Sequence, residues 1–155
     1  MKKALVCLLL FAFSSSYSQT FSLTDTQFKV GCYYLSHNIM FDLGKVTLRP
    51  ECYPNLDSVI TFLNTNSTIK LEVGVHSDSR ARTTGCGGNL TMSRSKSIAD
   101  YMVSKGIDAS RLIIIGYGGV KPIISDVAIS KLKTPEEKEA AYQKNRRVEF
   151  KIIAI

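Results

Sequence analysis

The sequence predicts an α+β fold, a two-layer sandwich with a small mixed β-sheet carrying helices on one face, in the order β-α-β-α-β-β. Three observations predict it. Ile69 to His76 alternates: Ile69, Leu71, Val73 and Val75 face one way, and Lys70, Glu72, Gly74 and His76 the other. That is the period of a strand with one buried face. Helical stretches separate the strand-like runs, and β–α–β connections of that length imply some parallel pairing. The last run, Arg147 to Ala154, alternates again, with Val148, Phe150, Ile152 and Ala154 on one face. The chain has 155 residues, 45% hydrophobic and 21% charged, which fits one globular domain with a real core.

The first residues stand apart from that domain. Lys2 and Lys3 precede the apolar run Ala4 to Phe13, and Ser16 and Ser18 supply small residues at a cleavage site. Residues 1–18 therefore read as a secretory signal peptide cleaved after Ser18, its apolar run too short to span a bilayer. Cys7 lies inside the run and no cysteine directly follows the cleavage site, so the lipoprotein pattern is missing. Losing Lys2 and Lys3 lowers the net charge from +7 to +5. A modestly basic surface suits an anionic polymer or membrane, or simply solvent; export disfavours nucleic acid. Cys32, Cys52 and Cys86 remain, an odd count that leaves at least one without an intrachain partner. Sequence does not choose a pair, and the spacings match no zinc motif.

Residues 19–27 are a polar lead-in to a domain over 28–155. Phe28 to Leu35 and Ile39 to Asp42 read as one broken strand or two short ones. Gly44 and Lys45 break the pattern. Pro50 and Pro54 then open a helix with the stripe Leu56, Val59, Ile60 and Leu63, ending near Asn64 to Ser67. After the Ile69–His76 strand, Ser79 to Gly88 reads as a glycine-containing loop. The next helix, Asn89 to Lys105, ends at the C-cap glycine Gly106. Leu90, Ile98, Tyr101 and Met102 fall within roughly 120° of one another, with Arg94 near the middle of the arc. A cation there must snorkel, pair with an acid or be held for a ligand. Arg111 to Tyr117, with aliphatics from Leu112 to Ile115, reads as a buried strand. Val120 to Gln143 mixes loop with a charged stretch, Thr134 to Lys144, that could hold a short solvated helix.

Asp78 follows a strand end and Arg94 lies on a helix's inner face. A free amino-acid end carries both charges, so its recognition needs one anion and one cation at a fixed separation. Arginine's planar fork can grip a carboxylate with two hydrogen bonds. The pair also has a structural reading, an Asp78–Arg94 ion pair that closes when the site is empty. Cys86 and His76 lack the third group that a thiol nucleophile and its base would need. No paired carboxylates, zinc ligands or triad point to an enzyme, and no cofactor motif is present.

Six segments in fixed order carry a resemblance. They are Asn38-Ile39-Met40-Phe41-Asp42 with Lys45 and Leu48; His76-Ser77-Asp78-Ser79-Arg80; Leu90-Thr91-Met92-Ser93-Arg94; Tyr101 to Asp108; Ser110-Arg111-Leu112 leading to Gly116-Tyr117-Gly118; and Asn145-Arg146-Arg147-Val148-Glu149-Phe150. From about Phe28 to Ile153 the chain resembles the OmpA-like peptidoglycan-binding domain. The resemblance implies a non-catalytic module that binds the diaminopimelate of peptidoglycan stem peptides in the periplasm. By that resemblance Asp78 takes the ligand's ammonium and Arg94 its carboxylate, with Ser77, Ser79 and Asn89 as supporting contacts. Asp42 matches the family's "FD", and Arg146 and Arg147 its "NRR", with Arg147 taken as a ligand contact. Peptidoglycan is the implied partner, with outer-membrane proteins or lipoproteins as attachment points. The chain departs from the family at Ser77, Ala81 and Ser95. Its loop is one residue longer, and the family's asparagine falls on Cys86 or Gly87. The alternative is a structural or interaction protein of the same fold with a weakened or lost wall site.

Overall fold

Pro50 opens a 3-10 turn, Pro50–Cys52, and Pro54 sits in the first turn of α1, Tyr53–Thr65. Both prolines occupy positions where a helix has no N–H bond to lose. The computed structural model describes residues 20–83 and 87–155. The expected signal peptide and cleavage after Ser18 fall outside the described residues, as does Cys86. Beyond α1 come β2 (Lys70–His76), α2 (Arg80–Thr83), α3 (Gly87–Ser104), β3 (Leu112–Gly118), α4 (Asp126–Ser130), α5 (Pro135–Asn145) and β4 (Arg147–Ala154); β1 is Tyr33–Ser36.

The four strands among the described residues form one sheet in the order β1-β4-β2-β3. β2 and β3 pair in parallel, joined by the α2–α3 crossover, and β4 runs antiparallel to both β1 and β2. The fold is therefore the expected α+β sandwich with a mixed sheet. Leu71 and Val73 of β2, Phe150 and Ile152 of β4, Leu56, Val59 and Leu63 of α1, and Ile98 and Met102 of α3 are completely buried together. Fully burying each such side chain is worth about 1.5–3 kcal/mol.

Several elements differ from the sequence reading. β3 is an edge strand and not a buried one: Ile113 is 51% exposed. The core helices cover one face of the sheet, so alternate residues of β3 look outward however apolar the run. Ile39 to Asp42 forms no strand beyond one bridge, Phe41 to Leu48. Cys52 takes up the backbone there: Met40 N–H donates to its Sγ at 3.0 Å, and Sγ–H donates to Met40 O at 3.2 Å. The polar lead-in is docked, with Phe21 buried and its ring 5.3 Å from that of Phe62. The charged stretch forms the whole of α5, started by a capping box between Thr134 and Glu137. The short α4, capped by Ser125, was not expected. Between Ser79 and Gly88, expected as loop, α2 forms and α3 begins at Gly87.

Candidate ligand-binding site

A bulge sets up the strand end that carries Asp78. The β2–β3 register shifts between Val75 and His76, whose partners are Gly116 and Gly118. The skipped residue, Tyr117, stacks on His76 with ring centroids 4.6 Å apart. Ser77 N–H then donates to Gly118 O at 2.8 Å. A Cβ at Gly119 would lie 2.5 Å from Asp78 O, so the Asp78 turn needs glycine opposite it.

Asp78 is 7% exposed, and its carboxylate is saturated. Oδ1 accepts from the Arg80 backbone N–H at 3.0 Å and from Arg80 Nε at 3.1 Å. Oδ2 accepts from Arg80 Nη2 at 2.7 Å and from Arg146 Nη1 at 2.5 Å. A carboxylate has about four lone-pair sites, and four donors occupy them. The two arginines also meet at Glu139: Arg80 Nη1 at 3.0 Å and Arg146 Nη2 at 2.6 Å. The Arg80 guanidinium lies 4.1 Å over the Tyr142 ring. Burial works to raise the Asp78 pKa, but the hydrogen bonds from Arg80 and Arg146 outweigh it and hold the group below the usual carboxylate range. Arg146 and Arg80 likewise hold Glu139 down.

Arg94 is placed by a close contact between α3 and β3. A Cβ at Gly116 would lie 2.2 Å from Met92 N, so helix and strand backbones touch. Small polar residues line the helix there. Thr91 Oγ1 accepts from Gly118 N–H at 3.0 Å, and Ser95 Oγ–H donates to Val73 O at 2.5 Å. Thr91, Ser95, Ile98 and Met102 are fully buried and form the true inner face. Arg94 therefore stands at the rim of that face and not near its middle. Its Nε donates to Lys45 O at 2.9 Å and its Nη2 to Asp42 O at 3.0 Å, with the guanidinium 4.9 Å from the Phe41 ring centroid. Burial alone pushes its pKa down, and no carboxylate partners it among the described residues. It stays charged, because arginine is not deprotonated in proteins.

The expected Asp78–Arg94 ion pair is absent; Arg80 and Arg146 pair with Asp78 instead. Gly118 nonetheless ties the two halves together, since its carbonyl holds Ser77 and its N–H holds Thr91. Ser77 Oγ is buried without a hydrogen-bond partner among the described residues. Ser79 is partly buried and Asn89 exposed on the first turn of α3. The Asp42 side chain turns to Arg49, so its backbone and not its carboxylate serves Arg94. Arg147 is buried elsewhere: it donates to Glu149, Asn145 O and Lys121 O and makes no bond to Asp78. Arg146 is the arginine of that pair that reaches Asp78. The residues not anticipated here are Arg80, Glu139 and Tyr142. Glu139 and Tyr142 share one face of α5 at helical spacing, a signal available in the charge run, and Arg146 follows at the C-cap of the helix. No cluster of His, Cys, Asp and Glu fit for a metal occurs among the described residues.

The OmpA family profile matches residues 40–134. Outer membrane protein P5 of Haemophilus influenzae is 27% identical over 118 residues, covering 76% of this chain and 33% of that protein. The peptidoglycan-associated lipoprotein of the same organism is 29% identical over 111 residues, covering 72% of this chain and 65% of that one. The chain thus spans about a third of P5 and just under two thirds of the lipoprotein. A MotB-like protein from Desulfovibrio vulgaris shares the fold with a TM-score of 0.62 at 21% identity, over 77% of this chain and 71% of that one. With the profile spanning more than half of its length, this chain belongs to the OmpA family.

Proposed function

We propose that this protein binds the diaminopimelate of peptidoglycan stem peptides in the periplasm, and so anchors the outer membrane or a partner complex to the wall. Arg94 takes the ligand's carboxylate and Asp78 its ammonium. The observation that carries the reading is Arg94. Its guanidinium is partly desolvated, donates two hydrogen bonds to carbonyls and has no acid beside it among the described residues. A cation held that way gains most from an incoming anion. The likeness to a peptidoglycan-associated lipoprotein supports the same ligand class. The module is non-enzymatic, like others of its family.

Two charge-assisted contacts at ~1.5–3 kcal/mol each give single-site binding on the order of millimolar. Useful attachment then comes from many stems on one polymer. A second reading has its own observation. Because Asp78 is already saturated, the same fold could persist as an interaction module with a weakened wall site. Co-sedimentation with diaminopimelate-containing peptidoglycan separates the two. The mature protein pellets with the polymer under the first reading, and Arg94→Gln lowers its affinity about tenfold or more. A wild-type protein that stays in the supernatant, or an Arg94→Gln variant that pellets equally well, contradicts it.

A further inference from the structure

We propose that Arg80 is an intramolecular stand-in for the ligand's ammonium, so that wall binding at Asp78 is a displacement and not a simple docking. The inference rests on the diaminopimelate reading above and concerns how the same site is controlled. Three of the four bonds to the Asp78 carboxylate come from Arg80: its backbone N–H, Nε and Nη2. An ammonium has three donors and needs free lone pairs. None is free while the Arg80 fork is in place.

The arrangement makes Arg80 the group that leaves. Its side chain is 50% exposed, against 33% for Arg146. It also has a second home. Nη1 is bonded to Glu139 and the guanidinium rests on Tyr142, and both contacts survive if Nε and Nη2 let go of Asp78. Arg146 is held by Asp78, Glu139 and Gln143. Withdrawal of the Arg80 fork frees one lone pair on each Asp78 oxygen, while the Arg80 backbone N–H and Arg146 stay bonded. The incoming ammonium takes the two vacated sites. Charge stays balanced throughout: Asp78 and Glu139 face Arg80 and Arg146 before, and the ligand's cation arrives with its own carboxylate for Arg94.

Displacement also filters ligands. A plain amine must evict Arg80 with nothing to gain at Arg94. A zwitterion of the right span recovers the eviction cost at the second site. Binding is weakened by the fraction of time the stand-in is seated.

The test is calorimetric titration of the mature protein with free meso-diaminopimelate, comparing wild type, Arg80→Ala, Arg80→Lys and Asp78→Asn. The stand-in predicts that Arg80→Ala binds about three- to tenfold more tightly than wild type, that Arg80→Lys falls between, and that Asp78→Asn loses binding. Arg80→Lys keeps the charge without the fork, so it carries the test if the alanine variant fails to fold. Binding by Arg80→Ala where wild type shows none also supports the stand-in. If Arg80→Ala and Arg80→Lys bind equally or more weakly while Asp78→Asn is dead, the stand-in is wrong and the Asp78 reading survives. If Asp78→Asn binds like wild type, or no variant binds, the Asp78 reading fails and takes the stand-in with it.

Discussion

Asp78 and Arg94 hold their charges under opposite conditions. The Asp78 carboxylate is 7% exposed with every acceptor site filled. The Arg94 guanidinium is half-buried with two donors bonded to backbone carbonyls and no acid beside it among the described residues. The first pays its desolvation internally and can contribute to stability without any ligand. The second keeps an unmet demand for an anion. On the proposed zwitterion reading, a ligand would meet an exchange at the strand end and a net gain at the helix. The asymmetry also separates the matched family region from the rest: Glu139 and Arg146, which complete the anionic half, lie outside residues 40–134.

The harshest way to break both halves is at the backbone contact between them. A Cβ at Gly116 would sit 2.2 Å from Met92 N, so α3 must move off β3. Gly116→Ala is expected to cost about 3 kcal/mol or more, seen as a lower urea midpoint, and to displace Arg94. Next comes the comparison itself. Asp78→Asn leaves Arg80 and Arg146 short of a carboxylate and should cost about 1–3 kcal/mol of stability, with partial exposure of both arginines keeping the figure low. Arg94→Gln should change stability by less than about 1 kcal/mol. Urea unfolding that ranks the two variants the other way round would remove the asymmetry.

Acid should act on the anionic side and on the buried His76 with its neighbour Glu149. Burial holds His76 below its ordinary value against the pull of Glu149. A base depressed in the folded state contributes stability above its unfolded pKa, near 6.5, and loses it as pH falls below that. Burial works to raise Glu149, but the His76 imidazole 3.3 Å away and the Arg147 guanidinium hold it down at about 2. Its share is present above about 4.5 and fades toward about 2. Asp78 and Glu139 are depressed too and act with the same sign. The melting temperature should thus fall in two stages on acidification, and His76→Gln should flatten the upper one. The smallest effect belongs to Asp42→Ala. It removes an exposed pair with Arg49, worth about 0–1 kcal/mol, but leaves the backbone carbonyl that Arg94 uses. Wall affinity within about twofold of wild type is expected, measured by co-sedimentation.

The elements that sequence predicted well were those with one buried face and plain punctuation. Alternation in β2 and β4, and the proline-started stripe of α1, survive because side-chain period and burial coincide. β3 misled because four adjacent aliphatics look alike on an edge and in a centre. The inner face of α3 misled for a different reason: its tightest contact uses Thr91, Ser95 and a glycine, which carry no hydrophobic signal. At the site, Asp78 and Arg94 were visible as isolated charges out of pattern. Their partners were not, because ion pairing across long separations, such as Arg146 with Asp78, leaves no local trace. Arg80 lies two residues from Asp78, but nothing local distinguishes it from the helix-face Arg94 as the mate of that carboxylate.

The zwitterion reading is tested most directly at Arg94 itself. Its Nε–Hε resonance can be followed by NMR while free meso-diaminopimelate is added to the protein. A saturable shift at Arg94, needing much more ligand in Asp78→Asn, is the predicted result. Binding that leaves the Arg94 signal unmoved, or that is indifferent to Asp78→Asn, would contradict it.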